Sequence, residues 1–401
     1  MSGKTITEKI LAAKSHTDAH AGDVVICPID CALGTDGSVP MALDYFEAMG
    51  GTRVHDAGRI VFALDHYAPA PNRATAQLHQ RMRDFAVLHG IELWDVGEGI
   101  GHQLIVESGR ATPGSLVVGA DSHAVTYGAV SCFGTGIGSS DLAAILMCGE
   151  IWLRVPESIR VTLTGEFPRG VYAKDGALAL ARILGADGAS YRAIEFHGDQ
   201  LPLDDRLVFA NFTVEMGAKN GIFRHPSLQP DVDARYVRDI SIALDQLTPQ
   251  LALPHQVDQV VPIEQASGTP VHMVYLGTCT GGRVNDFHQA RDVLKAGGGP
   301  ARGVQLVVTP ASRTVLTALT NDGTLSDFLA MGAVVITPGC GSCCGTCGSI
   351  PADGVNVIST ANRNFKGRMG NSNSAIYLAS PASCAAAAVR GAIADPREFR
   401  P

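Results

Sequence analysis

Short apolar runs that suit β-strands alternate along this chain with longer segments of helical periodicity. An apolar run at residues 60–64 precedes a helical stretch at 74–88, the helix-ending Gly90, and a second apolar run at 91–95. A helix between two strands is the usual crossover in a parallel sheet. The alternation predicts an α/β fold, in which ligands bind at the carboxyl ends of the strands.

The same patterns indicate how the chain is divided. Further strands are predicted at 116–118, 161–163, 273–276, 305–308, 334–336 and 355–358, and a helix at 141–152. The Pro-rich, weakly periodic segment 226–270 predicts a connection between lobes, with a boundary near Gln265. We expect one lobe, or two intertwined subdomains, at residues 1–265 and a second lobe at 266–401.

Composition excludes several classes of protein. The 401 residues are 46% hydrophobic and 17% charged, with a net charge of −8 and no long basic run. This excludes a disordered chain and argues against nucleic acid as the main partner. The segment Met1–Leu11 lacks the apolar core of a secretory signal, and no apolar run is long enough to span a bilayer. We therefore expect a cytoplasmic protein with no membrane partner.

Ten cysteines in a cytoplasmic chain point to metal binding before disulfides. A Gly-Cys-Gly-Ser-Cys turn contains Cys340 and Cys343, and Cys279 lies in a second glycine-rich segment. Three thiolates would leave one iron of a cluster open to substrate, which is typical of a catalytic cluster. Cys344 and Cys347 could instead complete a zinc site or supply a fourth ligand. Adjacent cysteines do not easily reach one metal, so we interpret these two as spare thiols.

Chemically active residues follow the predicted strands. Five positions just past the carboxyl end of a predicted strand carry them: Asp65 with His66, Asp121 to His123, Cys279, Cys340, and Asn362 with Arg363. Polar residues also mark ordinary loops. Five such positions together favour a single site at the carboxyl ends of the strands.

Over nearly the whole chain, these motifs resemble the large subunits of 3-isopropylmalate dehydratases. Those subunits are of the isopropylmalate isomerase and homoaconitase type within the aconitase superfamily. The resemblance is carried by residues 119–123, 215–219, 278–280, 340–343 and 361–370. It implies aconitase-like three-layer α/β/α lobes and a [4Fe–4S] cluster on Cys279, Cys340 and Cys343. It also implies a hydro-lyase that moves a hydroxyl group by dehydration and rehydration. The reaction that the resemblance favours is the conversion of 2-isopropylmalate to 3-isopropylmalate in leucine biosynthesis.

The resemblance also implies roles for individual side chains. Three carboxylate–histidine pairs are implied as catalytic groups: Asp65 with His66, Asp121 with His102, and Glu215 with His123. Ser122, Arg363 and Arg368 are implied to bind substrate, while Asn211 and Asn362 hydrogen-bond around the cluster. A carboxylate beside an imidazole fixes its tautomer and raises its pKa, and arginine offers forked donors to substrate carboxylates.

Simpler roles exist for some of these residues. His102 could be a buried histidine bonded to a backbone carbonyl, Ser122 could cap a helix, and the arginine loop could be solvated surface. The segment with Thr35 and Asp36 matches an early active-site loop of the family, although many relatives have histidine at the position of Thr35.

The resemblance implies a partner. Single-chain relatives continue into a mobile fourth domain that supplies a serine and an arginine, whereas this chain ends at Pro401. We expect a separate small subunit in a heterodimer or heterotetramer. Because the loop that sorts substrates lies on that subunit, a homoaconitate hydratase or a 2,3-dimethylmalate dehydratase fits this sequence as well. An iron-sensing, RNA-binding regulator is disfavoured by the lack of a basic face.

Overall fold

The structure, a computed structural model, describes residues 3–198 and 201–399. Eighteen strands are present in these residues: β1 Val24–Pro28, β2 Cys31–Thr35, β3 Ile60–Ala63, β4 Glu92–Trp94, β5 Leu116–Gly119, β6 Phe133–Gly136, β7 Glu150–Arg154, β8 Ser158–Thr164, β9 Ala193–His197, β10 Asn220–Phe223, β11 Arg238–Ala243, β12 Gln250–Ala252, β13 Val260–Pro262, β14 Met273–Gly277, β15 Gln305–Thr309, β16 Val334–Val335, β17 Asn356–Ser359 and β18 Ala375–Leu378.

Twelve α-helices lie between these strands in the same residues: α1 Ile6–Ser15, α2 Val39–Ala48, α3 Arg73–His89, α4 Gly101–Glu107, α5 Ser139–Cys148, α6 Ala173–Leu184, α7 Leu203–Phe212, α8 Thr278–Gly281, α9 Val284–Ala296, α10 Arg313–Asn321, α11 Thr324–Ala330 and α12 Pro381–Arg390. Short 3₁₀ helices occur at Ala57–Arg59, Ser122–Val130, Thr213–Met216, Leu244–Gln246, Ile263–Ala266, Gly341–Cys344 and Pro396–Glu398. Among the described residues, no helix combines the length and apolar character that crossing a bilayer requires.

The first large sheet is parallel, with the strand order β4-β3-β2-β5-β6. The predicted strand–helix–strand unit is present here as β3, α3 and β4. Helix α3 begins where the Asn72 side chain accepts a hydrogen bond from the Thr75 amide, and it ends at Gly90 with φ 70°.

The chain moves from β2 toward β4 on one side of the first sheet and from β5 toward β6 on the other. The crevice where this direction reverses, between β2 and β5, is where such sheets bind ligands.

The second sheet is also parallel, in the order β10-β9-β8-β11. Helices α6 and α7 pack on it, and the stacked rings of Phe196 and Phe223, with centroids 4.6 Å apart, lie in its core. Strand β11 falls inside the segment that we predicted to be a connection. The alternating exposure of β11 gives only a weak apolar pattern, which explains why the sequence did not reveal it.

The third sheet has the order β13-β12-β18-β17-β14-β15-β16, and its strands from β18 to β16 are parallel. Its direction reverses between β14 and β17, the strands that precede Cys279 and Asn362. The α/β class that we predicted is therefore confirmed. The lobe boundary near Gln265 stays a prediction; strands β12 and β13, which precede it, pair with this third sheet.

One predicted helix is shorter than expected. Helix α5 ends at Cys148 because Gly149 adopts φ 74°, a left-handed conformation that stops a helix. The last residues of the predicted 141–152 helix instead belong to β7. This strand pairs antiparallel with β1 in a separate two-stranded sheet.

The 3₁₀ helix Ser122–Val130 rests on β10 at Gly128, where a Cβ atom would lie 1.8 Å from the carbonyl oxygen of Gly221. Because backbone cannot move aside cheaply, we expect Gly128→Ala to lower the free energy of unfolding by about 3 kcal/mol. At Gly37 a Cβ atom would meet only Thr35 Oγ1, at 3.6 Å, so Gly37→Ala should cost less than about 1 kcal/mol. Urea unfolding followed by circular dichroism measures both, and equal losses would contradict the prediction.

Candidate active site

The carboxyl ends of the first and third sheets meet through one loop. The amide of Cys340 donates a 2.9 Å hydrogen bond to the carbonyl oxygen of Asp65, and Thr346 Oγ1 donates one of 2.7 Å to the carbonyl oxygen of His66. The sulfurs of Cys344 and Cys347 lie 3.3 and 3.5 Å from that same His66 oxygen. The cysteine loop 340–347 is thus bound directly to the Asp65–His66 turn.

His66 lies between two carboxylates. Its Nδ1 is 2.7 Å from Asp65 Oδ1 and its Nε2 is 3.4 Å from Asp121 Oδ2, while Asp65 Oδ2 accepts a 2.8 Å hydrogen bond from the Gly101 amide. Burial by itself lowers the pKa of His66, but negative charge on Cys340 and Asp65 outweighs it and raises the pKa well above its ordinary value. The raised pKa favours the protonated form of the imidazole.

Asp121 joins this pair to two further histidines. Its Oδ1 lies 2.8 Å from His102 Nε2 and accepts a 2.8 Å hydrogen bond from the amide of His123. Burial raises the pKa of Asp121, but hydrogen bonds from His102, His123 and His66 lower it well below the usual range. The other ring nitrogen of His102 is 2.9 Å from the hydroxyl of Tyr127. His102 is therefore held by a carboxylate and a phenol, not by a backbone carbonyl.

The third pair extends to an arginine. His123 Nε2 lies 2.8 Å from Glu215 Oε1, and Arg363 Nε donates to both oxygens of Glu215 at 2.9 and 3.0 Å. Burial raises the pKa of Glu215, but His123 and Arg363 lower it overall. Arg363 Nη2 also donates a 3.0 Å hydrogen bond to Ser122 Oγ. The carboxylate is thus ionised and fixes both the histidine and the guanidinium.

The three cysteines predicted as ligands are each less than a tenth exposed, at 7% for Cys279, 9% for Cys340 and 5% for Cys343. Polar donors point at two of the three sulfurs. Cys279 Sγ accepts hydrogen bonds of 3.1 Å from Asn211 Nδ2 and 3.4 Å from Asn362 Nδ2, and Cys343 Sγ accepts one of 3.4 Å from Arg368 Nη2.

Such donors favour thiolate sulfur. Burial nevertheless raises the pKa of the Cys279 thiol to about 11, so a thiolate there needs a cation beside it. Asp65, His66 and Cys340 also place one oxygen, nitrogen and sulfur donor atom within 4.8 Å of one another. The donor set fits an iron–sulfur group, whose sulfurs are stabilised by neighbouring hydrogen-bond donors.

The backbone beside Cys279 is strained. Thr278 adopts φ 74°, in the left-handed region that a β-branched residue avoids, and its hydroxyl lies 2.9 Å from that of Thr280. Strain of this kind concentrates at functional sites. It turns the chain sharply at the carboxyl end of β14, so that Cys279 lies beside Asn362.

Two supporting residues were given no individual role from the sequence. Asp36 accepts hydrogen bonds from the amides of His66 and Tyr67, at 2.9 and 3.0 Å, and lies 2.9 Å from His79 Nε2. Asp36 had been marked only as part of a family loop, and a buried carboxylate beside a turn is the signal that could have found its role.

The second supporting residue is Lys174, whose ammonium group donates to the carbonyl oxygens of Thr360 and Ala361 at 3.0 and 2.7 Å. Burial lowers its pKa to about 8. The lysine fixes the chain just before Asn362. A lysine among the small residues of α6 was the available signal.

All fourteen site residues predicted from the sequence therefore lie in one region, on loops and helices beside three sheets. Three histidines that are hydrogen-bonded to carboxylates can hold and move protons, and two arginines can grip carboxylates. Fold and site define an α/β enzyme that performs acid–base chemistry on an acidic substrate.

Comparison with known proteins identifies the family. Residues 8–227 and 264–391 match the Aconitase family (aconitate hydratase). The chain is 46% identical to 3-isopropylmalate dehydratase large subunit 2 of Archaeoglobus fulgidus, over 99% of this chain and 100% of that one. It is 43% identical to the homoaconitase large subunit of Thermus thermophilus, over 99% and 98% of the two chains. The chain belongs to the aconitase family and is a hydro-lyase.

A solved structure shows a similar fold. Aconitase X of Thermococcus kodakaraensis superimposes with a TM-score of 0.53 at 13% identity, covering 89% of this chain and 88% of that one. The resemblance found in the sequence is thus confirmed for both family and fold.

Asp36 offers a test of how the His66 turn is held. Asp36→Ala would leave two partly buried amides and the buried His79 ring without their acceptor, so we expect the free energy of unfolding to fall by about 3 kcal/mol. Asp56, which caps an exposed turn at the Gly58 amide, is the matched control, and Asp56→Ala should cost less than about 1 kcal/mol. Urea unfolding of both variants checks this. A small loss for Asp36→Ala would show that the turn is held by other contacts.

Proposed function

We propose that this chain is the large, catalytic subunit of an enzyme that isomerises a hydroxy-dicarboxylic or tricarboxylic acid by removing and re-adding water. The preferred substrate is 2-isopropylmalate, converted to 3-isopropylmalate as in leucine biosynthesis. The observation that carries the proposal is the meeting, at one edge of the fold, of three buried cysteines with three carboxylate–histidine pairs. The identity of 46% to a 3-isopropylmalate dehydratase large subunit supports this choice of substrate.

Cys279, Cys340 and Cys343 would hold a [4Fe–4S] cluster. A cluster held by three cysteines supplies one Lewis-acidic iron that can polarise the hydroxyl group and orient the substrate. Asn211 and Asn362 would hydrogen-bond its sulfur ligands, as they do the Cys279 sulfur here. Cys344 and Cys347 remain spare thiols in this proposal, because their sulfurs approach the His66 carbonyl oxygen.

The histidines would supply the proton chemistry. Hydroxide is a poor leaving group, and a positioned general acid typically gains about 10²- to 10⁴-fold in rate. His66 is the proposed donor to the departing oxygen because Asp65 and Asp121 favour its protonated form. The Asp121–His102 and Glu215–His123 pairs would hold this donor in place and carry protons away from it.

The arginines would bind the carboxylates of the substrate. Arg368 Nε is buried and has no hydrogen-bond partner in the part of the chain that the structure describes, so a donor is available for an acidic ligand. Arg363 already holds Glu215 with Nε and presents Nη2 toward Ser122. A carboxylate bound between Ser122 and Arg363 would therefore be fixed close to His123.

The enzyme would need a partner. Relatives along the whole chain are named large subunits, which supports a small subunit that completes the site. We propose a heterodimer or heterotetramer of the two chains, located in the cytoplasm. Homocitrate chemistry is the second candidate, since a homoaconitase large subunit is 43% identical to this chain.

The substrate can be determined directly. The chain would be purified without oxygen together with its small subunit and assayed on 2-isopropylmalate, homocitrate and 2,3-dimethylmalate. We expect turnover of 2-isopropylmalate in preference to the other two acids. Turnover of homocitrate alone would select the second candidate, and no turnover of any hydroxy acid would contradict the proposed function.

The ligand assignment can be tested with two neighbouring cysteines. Cys340→Ser should abolish the visible absorbance of the cluster, because a serine oxygen is a poor replacement for thiolate sulfur. Cys344→Ser is the matched control and should keep that absorbance. If Cys344→Ser also bleaches the anaerobic protein, the ligand assignment is wrong.

The role of His66 gives a separate prediction. His66→Ala removes the proposed acid but none of the three sulfurs, so we expect the cluster spectrum to be retained while kcat falls by about 10²-fold or more. Absorbance and steady-state kinetics on the same preparation measure both. Full activity in this variant would remove His66 from the mechanism.

A further inference from the structure

The two-stranded sheet of β1 and β7 exposes an apolar face. Val24 is 67% exposed, Ile26 63% and Trp152 64%, and all three occupy the outward positions of their strands. Ile26 and Trp152 are directly opposite each other in the pairing of the strands. Three large apolar side chains side by side on one face of a ribbon mark an interaction surface, whereas single exposed ones need no explanation.

This ribbon lies at the end of the first sheet opposite the active site. Residues 29 and 30 lead from β1 into the start of β2, and Asp30 is hydrogen-bonded to Leu116, the first residue of β5. Asp65 and Asp121, by contrast, follow the last residues of β3 and β5. A partner on the ribbon would therefore leave the carboxyl ends of the strands open. A subunit that completes the active site does not fit this position.

The charges on the ribbon indicate its occupant. Glu150 and Arg154 lie at the two ends of β7, each two residues from Trp152 and on the same exposed face. Neither forms a salt bridge within residues 3–198 and 201–399, and the Arg154 guanidinium lies 5.8 Å from the centroid of the Tyr191 ring. The face is thus apolar at its centre, acidic at one end and basic at the other.

We propose that a second copy of this chain packs on this face, ribbon against ribbon, about a two-fold axis that lies between the two ribbons, at right angles to β7 and level with Trp152. This operation reverses the strand direction, so Trp152 faces the Trp152 of the second copy and Glu150 faces its Arg154 in both halves of the contact. Two sheets packed face to face keep their strands nearly aligned, as this arrangement requires. The surface is therefore complementary to itself in charge.

Sedimentation equilibrium of the full-length chain tests the proposal. The wild-type chain should form a dimer of its 41.9 kDa monomer. In Glu150→Arg, and separately in Arg154→Glu, like charges face each other twice, so the dimer dissociation constant should rise about tenfold or more. An equimolar mixture of these two variants restores both opposite-charge pairs and should dimerise like wild type, as should the double variant E150R/R154E.

Trp152→Glu should also give a monomer. Leu88→Glu is its matched control, because Leu88 is 77% exposed on α3, away from the ribbon, and this variant should remain dimeric. Far-ultraviolet circular dichroism would show that every variant folds.

A wild-type chain that stays monomeric up to about 0.1 mM would overturn the proposal. A dimer that survives Glu150→Arg unchanged, or a variant mixture that does not re-associate, would also overturn it.

Discussion

The hydrogen bond from the Cys340 amide to the Asp65 carbonyl oxygen, 2.9 Å long, is the contact on which the site depends. It joins the loop after β16 to the turn after β3, so it brings the ends of two different sheets together. Gly339 makes the approach feasible, since a Cβ atom there would lie 3.1 Å from the same Asp65 oxygen. Together with the hydrogen bond from Thr346 to the His66 carbonyl oxygen, this contact places the cysteines beside the histidines.

Around this contact, buried charges are matched one against another. Asp65, His66, Asp121, His102 and His123 form a connected network that Glu215 and Arg363 extend. Removal of one partner from such a network leaves an uncompensated charge in a poorly solvated place, which is strongly unfavourable. The network therefore holds its protonation states as well as its geometry, and acid–base catalysis requires both.

Much of the site could be predicted because its residues follow strands. Asp65, Asp121 and Cys279 each come directly after a short apolar run, and parallel strands bring such positions to one edge. Asp36 and Lys174 were harder to predict, because their partners are mainly backbone groups distant in sequence. Strand β11 was not predicted because four of its six residues face solvent, and β7 because the helix stop at Gly149 lies inside an apolar window.

Mössbauer spectroscopy of the chain, purified without oxygen together with its small subunit, tests the central claim most directly. If Cys279, Cys340 and Cys343 hold a [4Fe–4S] cluster beside His66, one iron has no protein thiolate, and its signal should change when the hydroxy acid is added while the other three stay constant. A protein that holds only zinc, or a cluster in which substrate changes none of the four irons, would contradict the account.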